Sequence, residues 1–231
     1  MKGEQAASLL AKTPLFAGLA ESELLGLGAC AHRRCYRKGE YIFHQGDTGN
    51  AVFVLTEGRV KVIFASEDGA EMILATLQPP EIFGELALID GGSRSASIQT
   101  LEPTTVLTLT RATLLDLMSR QPGVTDVVLR SLGRLVRTMI AQAGDLVFMD
   151  LHGRVAKLLI RLIEASADDT GECLSLDLKM TQSDLAAMVG GSRQSVNQTL
   201  HQFQRRGYLH IEGRRLIVKD VKALRRRAGS E

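Results

Sequence analysis

The sequence predicts an α+β chain: an N-terminal β-roll preceded by short helices, a long helix, and a C-terminal helix-turn-helix with a hairpin wing. Three patterns predict it. Between Tyr36 and Leu109, turn signals recur at Lys38-Gly39, Gln45-Gly46-Asp47, Glu57-Gly58, Asp68-Gly69 and Gly91-Gly92. That is the spacing of short antiparallel strands closing into a barrel or roll. From Pro122 to Met149, apolar residues Val128, Leu132, Leu135, Met139, Ala143 and Leu146 recur three or four apart, the period of a helix seam. After Thr181 come a capped segment, a glycine pair and a second capped segment, the order of a helix-turn-helix. The expected domains are 1–121 for the roll and its helices, 122–150 for the long helix and hinge, and 151–231 for the rest.

Along the chain, Leu9, Leu10, Leu15, Phe16, Leu19, Leu24, Leu25 and Leu27 are interrupted at Thr13-Pro14 and Gly18, so two or three short helices are expected before residue 30. The runs Ala51–Leu55, Val60–Phe64 and Met72–Leu77 are alternating or β-branched and read as strands. A short helix is expected over 111–119. Pro122 then opens the long one. That helix exceeds what one small core can use, so it reads as a parallel dimer helix. Packing on its own roll is the alternative. A hinge is expected at Asp150 to Gly153, then a helix from Arg154 to Ser166 and a polar loop over 167–172.

Thr181-Gln182-Ser183-Asp184 is a capping box opening a helix through Val189. Gly190-Gly191 is the turn, and Ser192 caps a second helix reaching Arg206. Leu185, Ala186 and Val189 are expected to face Val196, Leu200 and Phe203. Beyond Gly207, Tyr208–Ile211 and Arg214–Val218 flank the turn Glu212-Gly213, a hairpin that makes a wing.

Composition narrows the classes. Of 231 residues 45% are hydrophobic, enough for a core. No run approaches the roughly 18 apolar residues of a membrane span. The start, Met1-Lys2-Gly3-Glu4-Gln5, lacks the pattern of a signal peptide, so a cytoplasmic location is expected. The three cysteines, Cys30, Cys35 and Cys173, show no disulfide or zinc spacing and are too few for an iron–sulfur cluster. No metal is expected. From Lys179 to Glu231 eleven Lys and Arg stand against four Asp and Glu, a net +7, leaving −5 for the remainder of a chain whose total is +2. A polyanion partner is expected for that quarter alone. Within it, the run Arg225-Arg226-Arg227 reads as a solvated tail.

The stretch from Phe83 to Ala96, F-G-E-L-A-L-I-D-G-G-S-R-S-A, is the most informative. Gly84 opens a short helix over Glu85 to Ile89, Gly91 and Gly92 turn the chain back, and Arg94 and Ser95 precede a strand over Ser97 to Thr100. Helix-terminal amides, an arginine and a hydroxyl make an anion site. Glu85 among these donors suits a sugar phosphate, because a carboxylate accepts from a sugar hydroxyl. The stretch resembles the phosphate-binding cassette of cyclic-nucleotide-binding domains. The segment KGEYIFHQGDTGNAVFVLTEGRVKV is similar to the first half of the roll in that family. The resemblance implies that Glu85 holds the ribose 2′-OH, that Arg94 neutralises the cyclic phosphate, and that Gly84, Leu86, Ala87 and Ser95 complete the ligand site.

The segment TQSDLAAMVGGSRQSVNQTLHQFQRRGYL resembles the winged helix of the CRP/FNR family of bacterial transcription regulators. With both domains in the family's order, the resemblance covers Leu15 to Lys219. It implies a homodimer joined through helix 122–149 that binds palindromic double-stranded DNA. Arg193 takes the place of the guanine reader, and Gln194 and Gln198 take the other base-facing positions. Thr181, Gln182, Ser192, Ser195, Arg214 and Arg215 are the further DNA-contact candidates.

One half of the ligand site departs from the family. In members of the cyclic-AMP receptor type, two adjacent hydroxyl residues precede an F-x-D-x-x-G-R motif by a fixed distance and bind the adenine. Here the motif is Phe148 to Arg154, and those positions are Met139 and Ile140, with Thr138 one residue away. A further family arginine falls at Leu135. Cyclic AMP is the first choice of effector, with Thr138 and Met139 near the base. Cyclic GMP, another effector, or action without ligand are the alternatives. A haem or redox sensor and a phosphodiesterase are rival classes, but the chain shows neither a metal-ligand cluster nor a nucleophile motif. An enzyme is not expected. Activation would need a surface for RNA polymerase, for which no motif stands out.

Overall fold

The computed structural model describes residues 3–166, 174–177, 181–213 and 215–229. The polar loop expected over 167–172, Cys173 and Arg214 lie outside them. The chain divides into two compact units, Met1–Arg137 and Thr138–Glu231.

In the first unit, the helices α1 (Gly3–Ala11) and α2 (Glu21–Cys30) flank a single 3-10 turn at Pro14–Phe16. Eight strands follow: β1 (His32–Tyr36), β2 (Tyr41–Phe43), β3 (Ala51–Glu57), β4 (Val60–Ala65), β5 (Glu71–Leu77), β6 (Ile82–Phe83), β7 (Ser97–Thr100) and β8 (Thr104–Thr110). They form two antiparallel four-stranded sheets, ordered β1-β8-β3-β6 and β2-β7-β4-β5. Strand β3 is apolar from Ala51 to Leu55, where both its faces are covered. Side chains alternate across a strand. Phe53 and Leu55 join Val60, Phe83, Ile98 and Val106 inside the roll. Val52 and Val54 join Leu107 and Leu109 against Leu10, Phe16, Leu114 and Leu117 of the surrounding helices. Helix α3 (Leu86–Asp90) lies between β6 and β7, and α4 (Arg111–Arg120) follows β8 with its N-terminus capped by the Thr110 hydroxyl.

Helix α5 (Pro122–Phe148) is 27 residues long, about 40 Å at 1.5 Å per residue. Its expected seam divides into two parts. Val124 and Val128 are buried, and Leu132 packs beside them, in the same core as α4 and β8. The first part of the expected dimer seam is therefore used within the chain. Exposed apolar residues include Met139 and Leu146 of the expected seam and, one position further round, Leu129, Val136, Ile140 and Val147.

The second unit is built on α6 (Leu151–Ser166), whose Val155, Ala156, Leu159, Ile160 and Ile163 meet Leu185, Ala186 and Val189 of α7 (Gln182–Val189) and Val196, Leu200 and Phe203 of α8 (Arg193–Arg205). Strands β10 (Leu209–Glu212) and β11 (Arg215–Val218) form the expected hairpin. A third strand, β9 (Leu174–Asp177), pairs with β11 to give the order β10-β11-β9. The arginine run is not a solvated tail. It ends a helix, α9 (Val221–Arg227), capped by Asp220 and anchored by buried Ala223 and Leu224. Arg225 pairs with Glu164 at 3.2 Å, and Arg227 pairs with Asp150.

Candidate functional sites

The cassette begins where β6 ends. Gly84 has φ +81, and a Cβ there would stand 2.7 Å from Arg94 Nη1, so only glycine lets the chain pass the arginine. Helix α3 follows and stops at Gly91 in the left-handed region. Arg94 is 4% exposed. Its Nη1 donates to the Gly84 carbonyl at 2.6 Å and its Nη2 to the Ala51 carbonyl at 2.7 Å. Its Nε is buried and has no acceptor among the described residues. The backbone around it is held on the other side by Asp47: Arg94 N donates to Asp47 O, and Gly46 N donates to Arg94 O, each at 2.8 Å.

Electrostatics follow from that burial. Loss of water pulls the Arg94 guanidinium below its ordinary value, opposed by the Asp47 and Glu85 carboxylates. It stays protonated, as arginine does in proteins. Burial pushes the Glu85 carboxyl up, against the pull of its own amide and of Arg94. Glu85 and Arg94 attract each other without forming an ion pair within 4.0 Å. Ser95 is exposed, Leu86 is half-buried and Ala87 is buried. The structure thus brings Gly84, Glu85, Leu86, Ala87, Arg94 and Ser95 into one short span around a buried cation. Thr138 and Met139 are exposed on α5 and belong to the second unit, whereas the cassette belongs to the first.

Three contributors escaped the sequence reading. The ring of Phe43 lies under the guanidinium, with Arg94 Cζ 4.3 Å from its centroid. The backbone of Ala51 supplies an acceptor. A Cβ on Gly49 would stand 2.3 Å from the Ala87 Cβ and 3.3 Å from Arg94 Cζ, so this glycine admits the cassette helix against β3. None carries a local signal, because each matters through a partner more than 30 residues away.

In the second unit, Thr181 caps α7, but its hydroxyl is engaged by Asp184 in a reciprocal capping box. Gln182 is half-buried. Gly190 ends α7 in the left-handed region, and Ser192 caps α8 by accepting from Ser195 N at 3.1 Å. Ser192, Arg193, Gln194 and Gln198 are exposed, and Ser195 is half-buried. The first two turns of α8 thus present an arginine and two amides while Val196, Leu200 and Phe203 are buried behind them. Exposed Arg215 opens β11. Arg214 lies outside the described residues.

The F-x-D-x-x-G-R stretch is a structural joint. Asp150 accepts from Gly153 N at 2.8 Å, the bond of a helix N-cap on α6. Arg154 donates to Met149 O and Val189 O at 2.8 Å each, taking orphan carbonyls at the ends of α5 and α7. His152 Nε2 meets Gln202 Oε1 at 2.7 Å, tying α6 to α8. Lys157 and Arg161 both reach Asp145 on the last turns of α5.

Among the described residues no group of three or more His, Cys, Asp or Glu could hold a metal ion. No helix among them is long and apolar enough to cross a membrane.

Comparison with known proteins adds to this geometry. Residues 33–121 match the family described as the cyclic nucleotide-binding domain, and residues 153–227 match the Crp-like helix-turn-helix domain. A CRP-like cAMP-activated global transcriptional regulator of Mycobacterium tuberculosis is 31% identical over 220 residues, covering 95% of this chain and 98% of that protein. The cyclic AMP receptor protein of Thermus thermophilus is 33% identical over 212 residues, covering 92% and 95%. Among solved structures, the c-di-GMP responsive global regulator CLP of Xanthomonas campestris is 25% identical, with a TM-score of 0.71, over 82% of this chain and 94% of that one.

Proposed function

Since the chain belongs to the CRP/FNR family of transcription regulators, we propose that it is a cytoplasmic homodimer whose DNA binding is set by a cyclic nucleotide, cyclic AMP first. The observation that carries the ligand reading is Arg94. It is a buried guanidinium whose Nε has no acceptor among the described residues, beside a glycine-opened helix and a carboxylate. A buried donor without an acceptor calls for a partner. An anionic phosphate supplies it, and a ribose hydroxyl supplies a further donor to the Glu85 carboxylate. Relatives with cAMP-activated in their descriptions support cyclic AMP. The c-di-GMP responsive neighbour shows that effector differs within structurally similar regulators, and Met139 and Ile140 at the base-binding positions keep cyclic GMP as the second reading.

For DNA, Arg193 at the start of α8 reads guanine by its two-pronged fork, with Gln194 and Gln198 beside it. Ser192, Ser195, Gln182 and the wing residues Arg214 and Arg215 meet phosphates. Thr181 contributes by fixing α7, since its hydroxyl is already engaged. Two copies joined through α5 place their recognition helices on half-sites about 10 base pairs apart centre to centre. The nucleotide shifts the dimer toward its DNA-binding state only by binding that state more tightly. RNA polymerase is the partner an activator of this kind would contact. No enzymatic step is part of this reading.

Calorimetric titration of the full chain with cyclic AMP and cyclic GMP, followed by DNA-binding titrations with and without the bound nucleotide, tests it. Saturable binding of one nucleotide, with tighter DNA binding in its presence, is the expected outcome. Equal DNA affinity with and without either nucleotide would overturn the regulatory part. For the interface, Arg193→Ala should cost about 1–3 kcal/mol at one base pair. Arg215→Ala should weaken all sequences alike and lower the salt slope by about one.

A further inference from the structure

We propose that Phe43 is the positioning residue of the cassette: its ring holds the Arg94 guanidinium in place and offsets its lost hydration, leaving the Nε edge for an anionic phosphate. This rests on the cyclic-nucleotide reading above. A guanidinium removed from water loses stabilisation that must be returned by its surroundings. Two carbonyls, of Gly84 and Ala51, each accept from one terminal nitrogen. The third support is aromatic. Arg94 Cζ stands 4.3 Å from the Phe43 centroid and 5.5 Å from that of Phe53. A ring face carries negative quadrupole density, which attracts a cation held over it.

The ring is itself backed. Phe43 and Phe53 centroids are 5.4 Å apart, and Phe53 and Phe83 stack at 5.3 Å with an interplanar angle of 4°. Phe53 and Phe83 are buried in the roll, and Phe43 is half-buried at its margin. Three rings therefore form a continuous shelf from the core of the roll to the charged group. The carbonyls fix both ends of the fork, and the shelf fixes its face. Of its three nitrogens only Nε is left without an acceptor among the described residues. The arginine is thus pre-set for an anion before the ligand arrives, and the ligand has less ordering to do.

Packing alone would make the same contacts with any side chain of this size, so the test separates charge distribution from shape. Phe43 is replaced in the full chain by pentafluorophenylalanine, which keeps the shape and reverses the quadrupole, and cyclic AMP is titrated by calorimetry. The dissociation constant should rise about three- to thirtyfold, while Phe43→Tyr should bind like the unaltered chain. If the fluorinated chain does not fold, Phe43→Leu is compared with Phe43→Tyr. Loss of affinity in leucine with retention in tyrosine supports the shelf. Unchanged affinity in the fluorinated chain, or equal affinities of the leucine and tyrosine variants, overturns it. If the unaltered chain binds no cyclic nucleotide, the parent reading fails and the shelf falls with it, an outcome distinct from the other two.

Discussion

Arg94 and Gly84, ten residues apart in the chain, are joined by a 2.6 Å hydrogen bond from Nη1 to the glycine carbonyl. The other terminal nitrogen is bound to Ala51, 43 residues away. Arg94 is therefore a strut between β3 and the cassette as well as a candidate ligand group. A residue that met only a ligand could be removed at no cost to the fold. Arg94→Leu should instead abolish nucleotide binding and also destabilise the ligand-free chain, because two half-buried carbonyls lose their donors at a cost of about 1–3 kcal/mol. Chemical denaturation without nucleotide, set beside a nucleotide titration, checks both. Unaltered stability would show that water replaces the guanidinium freely.

Glu85 should show the opposite relation between stability and binding. Burial raises its carboxyl above the ordinary value. A carboxyl raised in the folded state opposes folding in full above its raised value, and the opposition fades as pH falls from that value to the ordinary one. Glu85→Gln should therefore make the ligand-free chain more stable at pH 7, with the difference narrowing in acid. The same change removes a charged acceptor for the ribose hydroxyl, so nucleotide affinity should fall about ten- to a hundredfold. Urea unfolding at pH 7 and pH 4 with a parallel titration tests the pair. A less stable glutamine variant at pH 7 would contradict the sign.

Helix α5 presents two adjacent faces with different work. Val128 is 2% exposed inside the first unit, whereas Ile140 is 66% exposed. Val128→Glu should unfold that unit, at a cost of at least about 3 kcal/mol for a charge placed in the core. Ile140→Glu should leave circular dichroism unchanged and shift sedimentation from dimer to monomer. A folded Val128→Glu chain, or a dimer unaffected by Ile140→Glu, would reverse the assignment of the faces.

At the α5–α6 junction Asp150 has two partners of unequal worth. Its bond from Gly153 N is a helix cap, and replacing such a cap costs about 1 kcal/mol. Its pairing with Arg227 is solvent-exposed, and exposed pairs contribute about 0–1 kcal/mol. Asp150→Ala should thus destabilise more than Arg227→Ala. The Gly153 amide first, and Arg227 second, hold the Asp150 carboxyl below its ordinary value. A lowered value stabilises the fold above the ordinary carboxylate value, and this stabilisation is lost as pH falls from there through the lowered value. The difference between Asp150→Ala and the unaltered chain should therefore shrink in acid, which denaturation across pH measures.

What was legible in the sequence is what local chemistry writes. Gly84, Gly91 and Gly190 mark positive φ, and Thr181, Ser192 and Asp184 mark caps, so the cassette helix and the helix-turn-helix could be placed before any coordinates. The surroundings of Arg94 could not. Its acceptors are backbone atoms, which carry no residue signature, and Phe43 and Gly49 reach it only through the pairing of distant strands. The face that α5 turns to the roll was not legible because a three-or-four repeat fits two neighbouring stripes equally well. Only the partners of Val124 and Val128 decide between them. Strand β9 is four residues long and is defined by its pairing with β11, and α9 is short enough that its arginines outweighed Ala223 and Leu224 in the pattern.

Helix α9 brings the carbonyl of Arg227 against Gly153, where an added Cβ would stand 3.3 Å from it. A fluorophore attached at the end of that helix consequently sits beside the elbow between α5 and α6. Labels attached there should report on the elbow and disturb it.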